Sequence, residues 1–254
     1  MREALILRRK VEIIAHRGAS RSAPENTLPA FHLAWKQGAD AAELDVRLSR
    51  DGRAVVIHDA TTRRTGGLDR KVRGATLAEL RALDFGRWKG AKWAGTRIPT
   101  LEEVMQTVPA GKRLLIEIKC GPEIVPELRR VVEESGRQRR FILQGFSLPT
   151  MKAVKRKLPG VETAWLCALR QSAAPEAAVK ADALIRQAAE AGMNGLHLRA
   201  SPFIDARMLK NAKAARLKFR VWTVDSAPIA RRLAALGIDG IITNRPGWLR
   251  AHLD

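Results

Sequence analysis

Cysteine is scarce in this sequence, which holds only Cys120 and Cys167 among its 254 residues. Neither cysteine lies in a Cys-x-x-Cys pair or in a zinc-finger spacing. The sequence therefore excludes a disulfide framework and a structural zinc site of the usual kinds. We expect both cysteines to be buried free thiols.

Long hydrophobic runs are also missing. No segment approaches the roughly 18 consecutive apolar residues of a membrane-spanning helix. The first ten residues hold a short apolar stretch before Arg8-Arg9-Lys10 and show no small-residue cleavage site, which is not typical of a secretory signal. These absences predict a soluble cytoplasmic protein.

Acidic residues are few relative to basic ones. The chain has 26 Asp and Glu against 46 Lys and Arg, which gives a formal net charge of +20 and a sequence pI of ≈ 11.1. A surface field of this sign attracts anions of every kind and informs association rather than fold. On charge alone, anionic lipid, nucleic acid and phosphorylated small molecules all remain as partners.

The distribution of apolar residues favours the α/β class. The chain is 46% hydrophobic and long enough for one large core, so we expect a single domain over residues 1–254. Short β-branched or Leu-rich runs alternate with stretches of helical period, which is typical of helices around a parallel sheet. Eight runs are found, at Val11–His16, Ala41–Leu48, Leu114–Lys119, Phe141–Phe146, Thr163–Cys167, Gly195–Leu198, Phe219–Val224 and Gly240–Thr243. Eight strands with helical crossovers predict a TIM (β/α)₈ barrel.

A further strand breaks this alternation. Ala54–His58 follows the second run across residues 49–53, and Asp51-Gly52 within that connection is typical of a hairpin turn. The strand should therefore return antiparallel to its predecessor. That return brings His58 back beside Glu43 and Asp45.

An irregular segment follows the hairpin. From about Ala60 to Arg97 the chain is rich in Arg, Lys, Gly and Trp and has no regular strand pattern. A segment of this length in a barrel is usually functional. We predict an inserted loop or small subdomain over the active-site face, followed by a helix over Leu101–Gln106.

Carboxylates recur at the ends of two predicted strands. Glu43 and Asp45 are two residues apart, so they share one face of their strand, and Glu117 shares a face with Lys119 in the same way. Three converging carboxylates are costly to bury unless a cation neutralises them. All-oxygen ligation suits Mg²⁺ or Ca²⁺ better than zinc.

Groups suited to phosphate chemistry lie at the same strand ends. His16 and His58 have the titration range for proton transfer near neutral pH. Arg17 can hold a phosphoryl group through two hydrogen bonds. A lone His-Arg-Gly triplet carries little weight, but its combination with the carboxylates indicates a metal-assisted phosphoester site.

These motifs resemble those of the glycerophosphodiester phosphodiesterase family nearly end to end. The matching segments are His16-Arg17-Gly18, Pro24-Glu25-Asn26-Thr27, Gly38-Ala39-Asp40, Glu43-Leu44-Asp45-Val46, Asp51-Gly52, Val55-Val56-Ile57-His58-Asp59, Ile98-Pro99-Thr100-Leu101, Glu117-Ile118-Lys119, Val221-Trp222-Thr223-Val224 and Gly240-Ile241-Ile242-Thr243. The resemblance implies a TIM barrel with a small insertion. It also implies hydrolysis of a small-molecule glycerophosphodiester to glycerol 3-phosphate and an alcohol.

The resemblance further implies a role for each matching residue. The implied metal ligands are Glu43, Asp45 and Glu117; the acid and base are His16 and His58; the phosphate-binding residues are Arg17 and Lys119; and Trp222 lines the substrate pocket. The sequence does not choose which histidine is the acid. It also does not choose between water and a hydroxyl of the substrate as the nucleophile.

Two positions depart from the common wording of the family. Asn244 stands where many members have Asp, and Asp225 stands where Asn is frequent. Neither is an implied ligand, so we expect altered pocket polarity without loss of activity. Glu25 and Asn26 are interpreted as structural residues that fix the loop after Gly18, with Asn26 as a preferred cap residue at the start of a helix over Asn26–Gln37.

Two other functions remain open at this point. The basic, tryptophan-bearing insertion would suit a lysophospholipase D-like activity or transient contact with an anionic membrane. A noncatalytic anion-binding barrel is disfavoured, because an anion binder gains nothing from clustered carboxylates. No specific nucleic acid is expected as a partner, and the oligomeric state is left open.

Overall fold

Eight parallel strands close into a barrel in the computed structural model, which describes residues 11–169 and 174–253. The parallel strands are β1 (Glu12–His16), β2 (Ala41–Leu48), β4 (Arg113–Ile118), β5 (Phe141–Gly145), β6 (Glu162–Cys167), β7 (Gly195–Arg199), β8 (Lys218–Trp222) and β9 (Gly240–Thr243). Each pairs with the next in this order, and β9 pairs with β1 to close the ring. The predicted TIM barrel is confirmed.

Helices lie between the strands. They are α1 (Leu28–Lys36), α2 (Arg63–Gly66), α3 (Leu77–Arg81), α4 (Leu101–Gln106), α5 (Val125–Glu134), α6 (Leu148–Lys157), α7 (Ala174–Glu190), α8 (Ala206–Ala214), α9 (Ala227–Leu236) and α10 (Pro246–Leu253). Their apolar faces pack against the outward side chains of the strands in one large core. Within the described ranges, no helix is both long and apolar enough to cross a bilayer.

The predicted start of the first helix was wrong. The structure begins α1 at Leu28 with Thr27 as its cap residue, while Asn26 adopts a left-handed backbone at φ 58°. The side chain of Asn26 bonds to Asp45 on β2 instead. An interaction between distant elements therefore outweighs the local preference of Asn for a cap position.

Side chains that point into the barrel form layers, because alternate residues of each strand face inward. A middle layer is apolar and comprises Ile14, Ala41, Leu115, Ile142, Ala164 and Ile242. Toward the amino ends of the strands, Arg220 is buried and paired with Glu12 and Glu162. Toward the carboxyl ends of the strands, a third layer holds the carboxylates of Glu43, Asp45 and Glu117 and the imidazole of His16. The apolar residues therefore lie between the two charged layers on part of the ring, while Arg220, His197 and Gln144 form a polar contact series on the rest.

The predicted hairpin is present. Strand β3 (Ala54–Val56) runs antiparallel to β2, and beyond it the Ile57 amide still donates to the Asp45 carbonyl oxygen at 2.9 Å. The insertion after it contains α2, α3 and short 3₁₀ turns. It packs on β3 through its own apolar cluster, which comprises Val55, Ile57, Val72, Ala75, Leu80, Phe85 and Ile98. This hairpin places His58 at the carboxyl end of the barrel.

Candidate active site

Strand register brings the three carboxylates together. Glu43 on β2 lies beside His16 on β1, and Asp45 lies beside Glu117 on β4. One oxygen from each carboxylate falls within 4.8 Å of the other two. The residues are 1%, 0% and 7% exposed, respectively. Water therefore does little to screen their mutual repulsion.

The electrostatics of these carboxylates differ from one to the next. Burial and the charges of Asp45 and Glu117 raise the pKa of Glu43 well above its usual value. Burial and the charge of Asp45 raise the pKa of Glu117 to about 7. Burial opposes ionisation of Asp45 as well, but Arg17 and Lys119 outweigh it and lower the pKa of that group. Without a metal, Glu43 and Glu117 therefore ionise less readily than an ordinary glutamate, whereas Asp45 ionises more readily than an ordinary aspartate.

The donor set fits a hard divalent cation. All the converging atoms are carboxylate oxygens, which Mg²⁺ and Ca²⁺ prefer. Glu43 Oε1 is buried and accepts no hydrogen bond from the described residues, and such an atom is costly unless something neutralises it. Glu43, Asp45 and Glu117 could therefore hold a divalent metal between them.

Two cations flank the carboxylates. Arg17 Nε lies 3.1 Å from Asp45 Oδ2, and the Arg17 backbone amide donates to Glu43 Oε2 at 3.0 Å. Lys119 Nζ lies 3.2 Å from Asp45 Oδ1 and forms an ion pair with Glu117. Both side chains are less than a fifth exposed. Their charges therefore face the same small volume as the carboxylates.

A side-chain amide orients the imidazole ring of His16. Its Nδ1 lies 2.7 Å from Asn244 Oδ1, and the Asn244 side-chain amide donates to Asp225 Oδ2 at 2.6 Å. Asp225 also accepts from the Asn244 backbone amide at 2.8 Å. The two positions that depart from the family wording are therefore direct partners of each other. Burial and the charge of Arg17 lower the pKa of His16.

His58 is held by a carboxylate. Its Nδ1 lies 2.6 Å from Asp59 Oδ1, and Asp59 Oδ2 accepts from Arg64 Nε at 2.7 Å. Burial opposes ionisation of Asp59, but its hydrogen bonds from Arg64 and His58 lower its pKa to about 2. The two histidines therefore have different partners: a neutral amide for His16 and an ionised carboxylate for His58.

Aromatic side chains form one wall beside Lys119. Trp222 lies at the end of β8 and packs edge-on against Phe146, with ring centroids 5.6 Å apart. Lys119 Nζ lies 5.7 Å from the centroid of the Phe146 ring. The Trp222 indole donates to the His197 carbonyl oxygen at 3.2 Å. Trp222 is thus half-buried at the mouth of the barrel, on the side of the predicted phosphate-binding lysine.

The structure brings all eight predicted site residues to the carboxyl end of the barrel and adds several that the sequence reasoning missed. Glu25 and Asn26 were interpreted as structural, yet both contact predicted site residues. Asp59 and Arg64 were given no role. A His-Asp dipeptide at the end of a returning strand was a usable signal for Asp59. No local pattern marks Arg64, because it lies within the irregular insertion.

Comparisons with known proteins agree with this geometry. Residues 16–248 match the model of the glycerophosphoryl diester phosphodiesterase family. A glycerophosphodiester phosphodiesterase of Caldanaerobacter subterraneus is 36% identical over 94% of this chain and 96% of its own length.

Solved structures are also similar. An Oleispira antarctica phosphodiesterase in complex with the product sn-glycerol-3-phosphate has a TM-score of 0.84 and 30% identity, covering 96% of both chains. A glycerophosphodiester phosphodiesterase of Thermotoga maritima has a TM-score of 0.76 and 31% identity, covering 95% of this chain and 98% of its own.

Proposed function

The chain belongs to the glycerophosphoryl diester phosphodiesterase family, and on that premise we propose how it hydrolyses its substrates. It is a metal-dependent enzyme that releases glycerol 3-phosphate and an alcohol from glycerophosphodiesters by histidine acid–base catalysis. The observation that carries this proposal is the buried cluster of Glu43, Asp45 and Glu117 between two histidines and two cations. A phosphodiester is the anion whose hydrolysis uses all of these groups.

Glu43, Asp45 and Glu117 would hold the metal, which is Mg²⁺ or Ca²⁺ given the all-oxygen donors. When bound, such a cation would polarise a non-bridging phosphoryl oxygen and neutralise the charge that develops on it. Arg17 and Lys119 would bind the other phosphoryl oxygens, since both cations already face the cluster. Trp222 and Phe146 would form the wall beside the glycerol or its leaving group.

Hydrogen-bond polarity supports His16 as the base. A carboxylate only accepts, so Asp225 orients the Asn244 amide with its NH₂ toward Asp225 and its oxygen toward His16. That oxygen also only accepts, so His16 Nδ1 carries the proton. The lone pair of neutral His16 is then on Nε2, which lies 4.0 Å from Glu43 Oε2. Nε2 thus faces the cluster, where a nucleophile would be deprotonated.

His58 would be the acid. Its Nδ1 is held by the ionised Asp59 carboxylate, the kind of partner that orients a catalytic imidazole and remains ionised while the proton moves. In the reaction, His16 Nε2 accepts a proton from the attacking hydroxyl while the new phosphorus–oxygen bond forms. The bond to the leaving alcohol breaks, and His58 Nε2 donates a proton to the departing oxygen. The nucleophile is water, which gives glycerol 3-phosphate directly, or a hydroxyl of the substrate's own glycerol, which gives a cyclic phosphate that water then opens to glycerol 3-phosphate.

The test is a product assay on a panel of glycerophosphodiesters that differ in their alcohol. We expect release of glycerol 3-phosphate that stops with EDTA and returns with Mg²⁺ or Ca²⁺. Asp45→Asn and His16→Ala should lower kcat by about 100-fold or more. Arg207→Ala, on α8 outside the site, serves as a matched surface control. Undiminished turnover after chelation would contradict the metal dependence.

A lysophospholipid substrate is a second candidate, and one observation favours it. Leu68 and Trp88 of the insertion and Phe146 of the barrel are 54%, 40% and 48% exposed. Exposed apolar side chains of this size suit contact with an acyl chain or a lipid surface. Dispersed lysolipid should then be cleaved faster than its water-soluble headgroup ester, and Leu68→Ser with Trp88→Ser should abolish that preference. Equal rates on the two substrates would remove this candidate.

A further inference from the structure

Arg64 connects the insertion to the site through two carboxylates. It lies on α2, and its Nε donates to Asp59 Oδ2 at 2.7 Å. Its two terminal nitrogens donate to the two oxygens of Glu25, each at 2.8 Å. All three guanidinium nitrogens are therefore engaged, and one planar group fixes two carboxylates at once.

Each of these carboxylates holds a predicted site residue with its other contact. Asp59 Oδ1 lies 2.6 Å from His58 Nδ1. Glu25 Oε1 accepts from the Arg17 guanidinium at 2.8 Å, and Arg17 in turn contacts Asp45. A continuous series of charged contacts thus runs from His58 through Arg64 to Arg17.

We propose that Arg64 is a positioning residue that the insertion supplies to the active site, where it orients His58 through Asp59 and Arg17 through Glu25. The inference rests on the proposed function, and it gives the insertion a part in the chemistry. Arg64 itself touches neither His58 nor Arg17 in the described contacts, so its effect must pass through the carboxylates.

The chemistry of the guanidinium group explains why an arginine stands here. Asp59 and Glu25 are both anions, and the Arg64 charge offsets their repulsion while its flat fork restricts the plane of each carboxylate. A carboxylate with a fixed plane restricts the ring that it holds. A lysine carries the same charge but offers a point donor, so it could serve one carboxylate well and the other poorly.

The two contacts of Arg64, one with Asp59 and one with Glu25, predict different kinetic effects. His58 acts in the chemical step, so loss of the contact between Arg64 and Asp59 should lower kcat. Arg17 would bind the phosphoryl group of the substrate, so loss of the contact between Arg64 and Glu25 should raise KM. An error of about 1 Å in the position of such groups costs about 100-fold, and partners behind a first contact typically account for about 10- to 100-fold.

The first experiment compares Arg64→Ala with Arg81→Ala. Arg81 also lies in the insertion and also pairs with a carboxylate outside it, Glu103 on α4 at 2.6 Å, but neither residue contacts a predicted site residue in the described hydrogen bonds and ion pairs. We expect Arg64→Ala to lower kcat and raise KM, each by about 10-fold or more, and Arg81→Ala to change neither beyond about 2-fold. The thermal midpoints of both variants show whether the insertion remains folded. Arg64 is 45% exposed in its side chain, so the truncation leaves no large buried cavity.

The second experiment separates the effect of Arg64 through Asp59 from its effect through Glu25. In an Asp59→Asn background, Arg64→Ala should have little further effect on kcat but should still raise KM. In a Glu25→Gln background, Arg64→Ala should have little further effect on KM but should still lower kcat. Arg64→Lys should restore one parameter more than the other, whereas a role limited to anchoring the insertion would restore both together or neither.

Two results would overturn the inference. One is an Arg64→Ala enzyme with the kinetics of Arg81→Ala, and the other is an Arg64→Ala effect that stays the same size in both backgrounds. In either case the wild-type enzyme still turns over, so the proposed function stands. Absence of glycerol 3-phosphate release by the wild-type protein from every diester would remove the proposed function, and this inference with it.

Discussion

Three nearly unexposed carboxylates dominate the behaviour of single residues in this protein. Glu43 and Glu117 have raised pKa values because burial and neighbouring charge disfavour their ionised forms. In the folded chain without a metal, these groups therefore hold protons at a pH where the unfolded chain has released them. Stability must then depend on pH through the site itself.

The sign of this dependence follows from Glu117. Its pKa is about 7 when folded against an ordinary value of 4.5, so its contribution is fully present below pH 4.5 and is lost as pH rises through 7. In EDTA, we expect the wild-type free energy of unfolding to fall by about 1–3 kcal/mol more between pH 5 and 7.5 than that of Glu117→Gln. Denaturant titrations at several pH values measure the difference. Parallel pH profiles for the two proteins would contradict the prediction.

A second residue-scale prediction concerns the exchanged pair at positions 225 and 244. Asn244→Asp alone places a carboxylate against Asp225, whose oxygen lies 2.6 Å from the side-chain nitrogen of Asn244. This repulsion should destabilise the protein by about 1–3 kcal/mol, and adding Asp225→Asn should recover most of the loss. Thermal midpoints of the wild type, the two single variants and the double variant together give a double-mutant cycle. A double variant as unstable as the sum of the singles would show that the two positions do not compensate.

At the scale of elements, the strands were predictable because β-branched runs separated by helical stretches have a distinct period. The hairpin was predictable from Asp51-Gly52, and in the structure the Ile57 amide of the returning segment donates to the Asp45 carbonyl oxygen. The start of the first helix was not predictable, because the Asn26 side chain bonds to Asp45 across 19 residues. The Arg64 contact spans 39 residues to Glu25, and no local period reports an interaction of that range.

The layered interior leads to a prediction about the strands themselves. Arg220 on β8 is 2% exposed and pairs with Glu12 on β1 at 2.9 Å and Glu162 on β6 at 3.2 Å. Arg220→Ala removes the Arg220 charge from Glu12 and leaves Glu162 with Arg113 alone, so it should cost about 3–5 kcal/mol of stability. No described contact joins Arg220 directly to a predicted site residue, and it approaches Glu117 only through His197 and Gln144, so kcat of the folded variant should stay within about 2-fold of the wild type. A large loss of kcat at full folding would mean that the two charged layers are coupled.

The whole molecule carries a charge of +20, and this charge acts on any anion that approaches. Its range is about a Debye length, or about 8 Å at physiological salt, so it affects encounter rather than the chemistry inside the barrel. The proposed phosphate-binding cations, Arg17 and Lys119, would act differently, because a bound substrate phosphate would lie next to them at any salt concentration. Ionic strength therefore separates the field of the molecule from the contacts of its site.

Two diesters of different net charge make this separation measurable. Glycerophosphocholine has no net charge, whereas glycerophosphoglycerol carries one negative charge, and both carry the same phosphodiester group that Arg17 and Lys119 are proposed to bind. Raising NaCl from 0.05 to 0.5 M should lower kcat/KM for the anionic diester several-fold more than for the zwitterionic one, with the change mainly in KM. Equal losses for the two substrates would place the salt effect in the site, on the shared phosphate. The positive surface would then have no part in substrate capture, and its partner would have to be a larger anion.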